Sequence, residues 1–134
     1  MADRKALCLT PNGIAEIPSG DRLILSGNPG VVALFDATTI VVDATLGNIF
    51  DVTLGGTPRT LGNPTGAVDG QKFLFRVRQD VTGGRTLAFD TKYRFGTDLA
   101  SVVLSTAAGK LDRVGVEYVS IDDKFDVIAL MRGY

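Results

Sequence analysis

Histidine is absent from this chain of 134 residues, and cysteine occurs once, as Cys8. The first absence removes the commonest general base and the commonest metal ligand together. The second leaves no intrachain disulfide and no cysteine-based zinc site. Net charge is also small: 14 Lys and Arg against 15 Asp and Glu give −1, so no global field draws the protein to nucleic acid or to acidic lipid. Long hydrophobic runs are missing as well. The apolar stretches are strand-sized, too short to span a bilayer. No apolar segment of leader length precedes Pro11, which implies a chain made in the cytoplasm or assembled from there. Catalysis would fall to carboxylates alone, and the expectation is that the chain is not an enzyme. No cofactor, nucleic acid or membrane is expected as a partner.

What the chain does have is glycine, 16 residues, about 12% against a usual ~7%. These glycines stand between apolar runs, where they punctuate turns. A hydrophobic fraction of 45% with 22% charged residues suits one folded domain large enough to bury a core.

Residues 1–30 read as an extended arm. Alternating pieces (Ala6-Leu7-Cys8-Leu9 and Arg22-Leu23-Ile24-Leu25) are interrupted by Pro11, Asn12-Gly13, Pro18, Ser19-Gly20 and Asn28-Pro29-Gly30. Such a segment builds no core of its own, and its apolar residues suit lying along a partner. Leu7, Leu9, Ile17, Leu23 and Leu25 are the candidate arm contacts.

Residues 31–134 read as an all-β domain. Strand patterns recur at Val31 to Phe35, from Thr38 through Val42, and over "NIFDVTL" (48–54), where Phe50, Val52 and Leu54 alternate inward against Asp51 and Thr53. Thr60-Leu61 reads as a short edge piece beside Pro58. "DGQKFLFRVRQDVTGGRTLAFD" (69–90) predicts strands at about 72–79 and 85–89, joined as a tight hairpin through Thr82-Gly83-Gly84. "YRFG" and "SVVLS" add further strands, and Ala100 to Lys110 reads as a strand plus a turn. "LDRVGVEYVSIDDKFDVIALMRG" predicts a second hairpin: Val114, Val116 and Tyr118 on one face, a turn at Asp122-Asp123, then Phe125, Val127 and Ala129 inward. No window has helical spacing with a capped start. Eight to ten short strands by rough count place the chain among β-sandwiches and jelly rolls.

Three features invite a chemical reading. Asp122, Asp123 and Asp126 are too few and too closely spaced for a calcium loop, and suit a hairpin tip. The dispersed aspartates Asp36, Asp43, Asp51, Asp69, Asp80 and Asp90 would serve a carboxylate-only glycan hydrolase only if two faced each other across a cleft. "GNPTG" and "GGTPRTLG" lack the helix opening and Lys-Ser/Thr ending of a phosphate loop, and read as turns. The face opposite Phe73, Phe75 and Val77 is different: it carries Lys72, Leu74, Arg76 and Arg78. An outward leucine between arginines suits a subunit interface. Leu74, Arg76 and Arg78, with Met131 and Tyr134 near the C-terminus, are the candidate interface residues.

Two parts of the sequence resemble proteins of bacteriophage particles. "MADRKALCLTPNGIAEIPSGDRL" is similar to the N-termini of phage tail-fibre and virion-appendage proteins in Asp3-Arg4-Lys5-Ala6-Leu7, in Asn12-Gly13 and in Ile17-Pro18-Ser19-Gly20-Asp21. The body resembles a small β module of phage particles through "GNIFDVTL", the Asn63-Pro64 turn, "DGQ", "RQDVTGGRTL" and the closing pair that begins with "DRVGVEYV" and ends in "DVIAL". Together the two cover nearly the whole chain. The resemblance implies a β-structured virion protein without catalytic apparatus, assembled as a homotrimer through strand faces. One departure is the ending: an aromatic-rich close is usual, but "KFDVIALMRGY" stands here and tryptophan is absent. That points away from a receptor-gripping tip. The expectation is a capsid decoration (cement) protein on the virion, bound to the major capsid protein or another virion protein. A short tail-fibre or baseplate appendage with a receptor-binding role is the alternative.

Overall fold

The computed structural model describes residues 7–10, 13–16 and 30–134. Leu7–Thr10 (β1) and Gly13–Glu16 (β2) pair antiparallel, with Leu9 opposite Ile14 and Leu7 opposite Glu16. Of the arm contacts named above, Leu7 and Leu9 fall within β1, while Ile17, Leu23 and Leu25 lie outside the described residues.

The other described strands are Val31–Ala33 (β3), Thr39–Ile40 (β4), Ile49–Leu54 (β5), Thr60–Leu61 (β6), Lys72–Gln79 (β7), Ala88–Phe89 (β8), Tyr93–Phe95 (β9), Leu111–Val119 (β10) and Lys124–Met131 (β11). No helix occurs among the described residues, so the all-β class holds. The chain passes back and forth between two sheets. Strands β3, β5 and β7 lie parallel in a six-stranded sheet of order β3-β5-β7-β10-β11-β9, while β4, β6 and β8 lie parallel in a three-stranded one. Strands β7, β10 and β11 are antiparallel neighbours, and β9 closes the large sheet by pairing parallel to β11.

Alternation produces the core. On β5, β7, β10 and β11 the inward positions are Phe50, Val52 and Leu54, then Phe73, Phe75 and Val77, then Val114 and Val116, then Phe125 and Val127, all buried. They form one cluster with Ile40, Val42 and Leu61 from the smaller-sheet side and with Leu87, Tyr93 and Leu104. Phe50 stacks on Phe75 at 5.5 Å and lies 6.0 Å from Phe73, whose edge-on neighbour is Phe125 at 5.7 Å. Offset and edge-to-face contacts of this kind add directional preference to area burial.

Four expectations fail here. The hairpin across Thr82-Gly83-Gly84 does not form, because β8 pairs with β6 in the other sheet. Buried Gln79 instead binds both backbone groups of Arg85 at 2.8 Å, and the Asp80 carboxylate accepts from the amides of Thr82 and Gly83. Those bonds fold residues 80–85 into a compact corner. Its glycines do take positive φ, 74° and 71°, but they seat the corner against Thr106, whose carbonyl accepts from Gly84 N at 2.7 Å. A Cβ on Gly83 would meet that same carbonyl at 2.5 Å. Second, "SVVLS" is not a strand: the Asp112 side chain takes Ser105 N and Oγ at 2.6 and 2.8 Å, in place of a ladder partner. Third, β6 is the centre of its sheet and not an edge.

The fourth concerns Ala129. A bulge shifts register between Gly115 and Val116, whose partners are Ala129 and Val127, so Ile128 is the extra residue. Parity inverts beyond it, which turns Ala129 outward and Leu130 toward the core. The Asp122–Asp126 tip is a turn, as expected. Asp123 sits at φ 49°, its carboxylate meets Lys92 at 2.6 Å, and Asp122 and Asp126 both grip Arg94. Among the described residues no three His, Cys, Asp or Glu side chains gather as metal ligands.

Two guanidinium–carboxylate pairs pin the loops: Arg59 donates to both oxygens of Asp36, and Arg85 donates twice to Asp80 Oδ2. The Arg85 guanidinium, helped by the Gly83 amide, lowers the Asp80 carboxyl from 3.8 to about 2. The folded chain therefore protonates this group less readily than the unfolded one. Its contribution to stability is complete above about pH 4 and is lost as pH falls toward 2. Replacing Asp80→Asn is expected to lower the urea midpoint at pH 7 and to flatten the loss of stability between pH 4 and 2. Parallel pH profiles for the two chains would contradict this.

Candidate interaction face on the outer side of the large sheet

Residues that alternate against the core positions share the other face of the six-stranded sheet, and the registers set them in rows across the strands. One row runs Val31, Ile49, Leu74, Gly115 and Ala129. Every member is apolar or lacks a side chain. The bulged Ile128 leans over this row: its Cγ1 lies 3.7 Å from where a Cβ on Gly115 would stand. Ile128 is exposed, whereas Ile49 and Leu74 are half-buried. The space over Gly115 is taken by its neighbours, since a Cβ there would press on Ala129 Cβ at 3.3 Å.

A charged row lies on each side. Two residues on, toward the C-terminal end of β3, β5, β7 and β11 and the N-terminal end of β10, run Ala33, Asp51, Arg76, Arg113 and Met131. Arg76 Nη2 donates to Asp51 Oδ2 at 2.8 Å, while Arg76 Nε is buried without a hydrogen-bond partner. Arg113 has no carboxylate partner among the described residues and places its guanidinium 4.5 Å from the Tyr134 ring centroid, within cation–π range. On the opposite flank lie Lys72, Glu117, Asp126 and Arg94. Lys72 and Glu117 pair loosely at 3.7 Å, Lys72 exposed and Glu117 half-buried. Arg94 is held by Asp126 at 2.6 Å and Asp122 at 3.0 Å, and these carboxylates raise its guanidinium above the ordinary arginine value.

The C-terminus belongs to the same face. Leu111 and Tyr134 exchange both backbone bonds at 3.0 Å, which carries the ladder one step past β11. Buried Asp112 fixes the tail from the other side, accepting from Gly133 N at 2.9 Å. Met131 and Tyr134 are thereby held at 59% and 55% exposure, a fixed apolar rim at the margin of the plane.

All five interface candidates from the sequence, Leu74, Arg76, Arg78, Met131 and Tyr134, fall on this one face. Arg78 is exposed in the row beyond Arg76, opposite Leu111. Sequence reasoning missed Val31, Ile49, Gly115, Arg113, Glu117 and Ile128. Ile49, Arg113 and Glu117 were open to it through strand alternation with their buried neighbours. The cross-strand register and the bulge were not.

Compared with known proteins, the chain matches no family model, no curated protein and no solved structure.

If Leu74 serves the outer face and not the core, truncating it should be mild. Leu74→Ala is expected to cost about 1 kcal/mol or less in denaturant unfolding, while Phe75→Ala next to it should cost about 3–5 kcal/mol. Comparable losses for the two would place Leu74 in the core and contradict the assignment.

Proposed function

We propose that this chain is a structural protein of a bacteriophage virion, a capsid decoration (cement) protein that works by covering surface and performs no reaction. One observation carries the reading: a firmly braced β-sheet presents a plane with an apolar centre row and charged flanks, held open to solvent by the core behind it. Apolar centre with charged margin is the anatomy of a protein–protein contact. The similarity of the N-terminal stretch and of the β module to phage particle proteins supplies the setting. Within the all-β class we assign a sandwich in preference to a jelly roll, since β3-β5-β7 and β4-β6-β8 pair parallel and a jelly roll is built from antiparallel Greek keys.

In this proposal the arm, through Leu7, Leu9, Ile17, Leu23 and Leu25, lies on the major capsid protein or a neighbouring virion protein, and copies join one another through strand faces. The homotrimer belongs to the proposal on the strength of the resemblance. A partner that binds only the assembled shell stabilises it by its own binding free energy. Linked copies strengthen that binding through effective concentration.

Shells prepared without this protein test the reading. The full-length chain is expected to co-sediment with them and to raise the temperature at which they come apart, and a chain lacking residues 1–25 should do neither. Failure of the full-length chain to bind, together with binding to host cells or glycans, would overturn decoration and favour a tail-fibre or baseplate appendage.

A further inference from the structure

We propose that the outer face of the six-stranded sheet is a two-fold contact with a second copy of this chain, its axis running along the Val31–Ile49–Leu74–Gly115–Ala129 row. The inference rests on reading this face as a docking surface and goes on to name its occupant.

Symmetry is written into β10. Gly115 sits on the row, Arg113 two residues to one side and Glu117 two residues to the other, all three on the outer face. A rotation of 180° about the row exchanges the two flanks. Each strand is laid over its own copy, apolar row meets apolar row, and Arg113 of each copy meets Glu117 of the other. Two charge pairs form from one mutual placement, as an isologous interface requires. Among the described residues Arg113 has no carboxylate partner, and Glu117 has Lys72 alone, at 3.7 Å. On β7 the same rotation sets Lys72 over Arg76. That like-charge meeting is offset by Asp51, which already neutralises Arg76 at 2.8 Å.

Area is consistent with a pair. Six strands and three two-residue steps span a plane of about 24 by 20 Å from ordinary strand spacing and rise. Two such faces together remove up to about 1,000 Å² from water, the area that a specific interface between proteins is expected to reach. Sheets packed face to face sit about 10 Å apart, which leaves room for Ile49, Leu74 and Ile128 of both copies.

Sedimentation equilibrium over about 1–500 µM tests this with charge reversals on exposed flanks. The unmodified chain is expected to form pairs, or hexamers where a separate three-fold contact also operates. Arg113→Glu or Glu117→Arg alone should weaken pairing at least about tenfold, because each sets like charges opposite one another twice. The double reversal should restore it to within about threefold, a rescue that only this two-fold placement supplies. Monomers at every concentration, a trimer alone, or pairs indifferent to the single reversals would overturn the contact. Shell binding separates the two levels: a monomeric chain that still binds shells overturns the two-fold contact but leaves the virion reading intact. Pairs that ignore shells do the reverse.

Discussion

Phe50, Phe73, Phe75 and Phe125 meet between the sheets with ring centroids 5.5–6.1 Å apart, and the rest of the structure depends on that contact. A strand has a side-chain period of two, so a slip of one residue would carry the phenylalanines to solvent and bury Arg76 and Arg78. The core cluster they would enter is hydrophobic, and the carboxylate buried beside it, Asp112, is already bonded to Ser105 and Gly133. The aromatic contact therefore does two things at once: it fixes the inward face, and it dictates which residues the outward face displays. The outer row of Ile49 and Leu74 exists in one register only, because the inner row permits no other.

The outer plane is finished by local devices, each with its own cause. Gly115 and the bulge at Ile128 invert parity late in β11 and send Ala129 outward. Asp112, buried on the inward side, spends its carboxylate on Ser105 and Gly133 and so anchors the tail that carries Tyr134. Without that anchor the last residues would have no reason to extend the ladder. Asp112 lies at the start of β10, and the tail it anchors gives the plane a fixed margin there.

Legibility from sequence followed strand length. β5, β7, β10 and β11 are six to nine residues long, enough alternation to show both their existence and their inward face. β4, β6 and β8 have two residues each and no period to read, so local pattern does not reveal the second sheet and makes β8 read as a hairpin partner of β7. The glycine pair at 83–84 signalled positive φ correctly. What it could not signal was direction, because Gln79 and Asp80 decide that through side-chain bonds to Arg85. The candidate face was legible only within single strands. Leu74, Arg76 and Arg78 emerge from one alternating run, whereas the pairing of Arg76 with Asp51 or the alignment of Leu74 with Gly115 depends on registers between distant segments, which local pattern does not encode.

The central claim is that this chain acts by covering its outer sheet face in an assembly. Hydroxyl-radical footprinting tests it most directly, since Met131 and Tyr134 report on that face while Val81, 95% exposed, stands on the corner of residues 80–85 that leads to the smaller sheet. On assembly the account predicts that Met131 and Tyr134 lose reactivity and Val81 retains it. Unchanged labelling of Met131 and Tyr134, with protection appearing at Val81 instead, would contradict it.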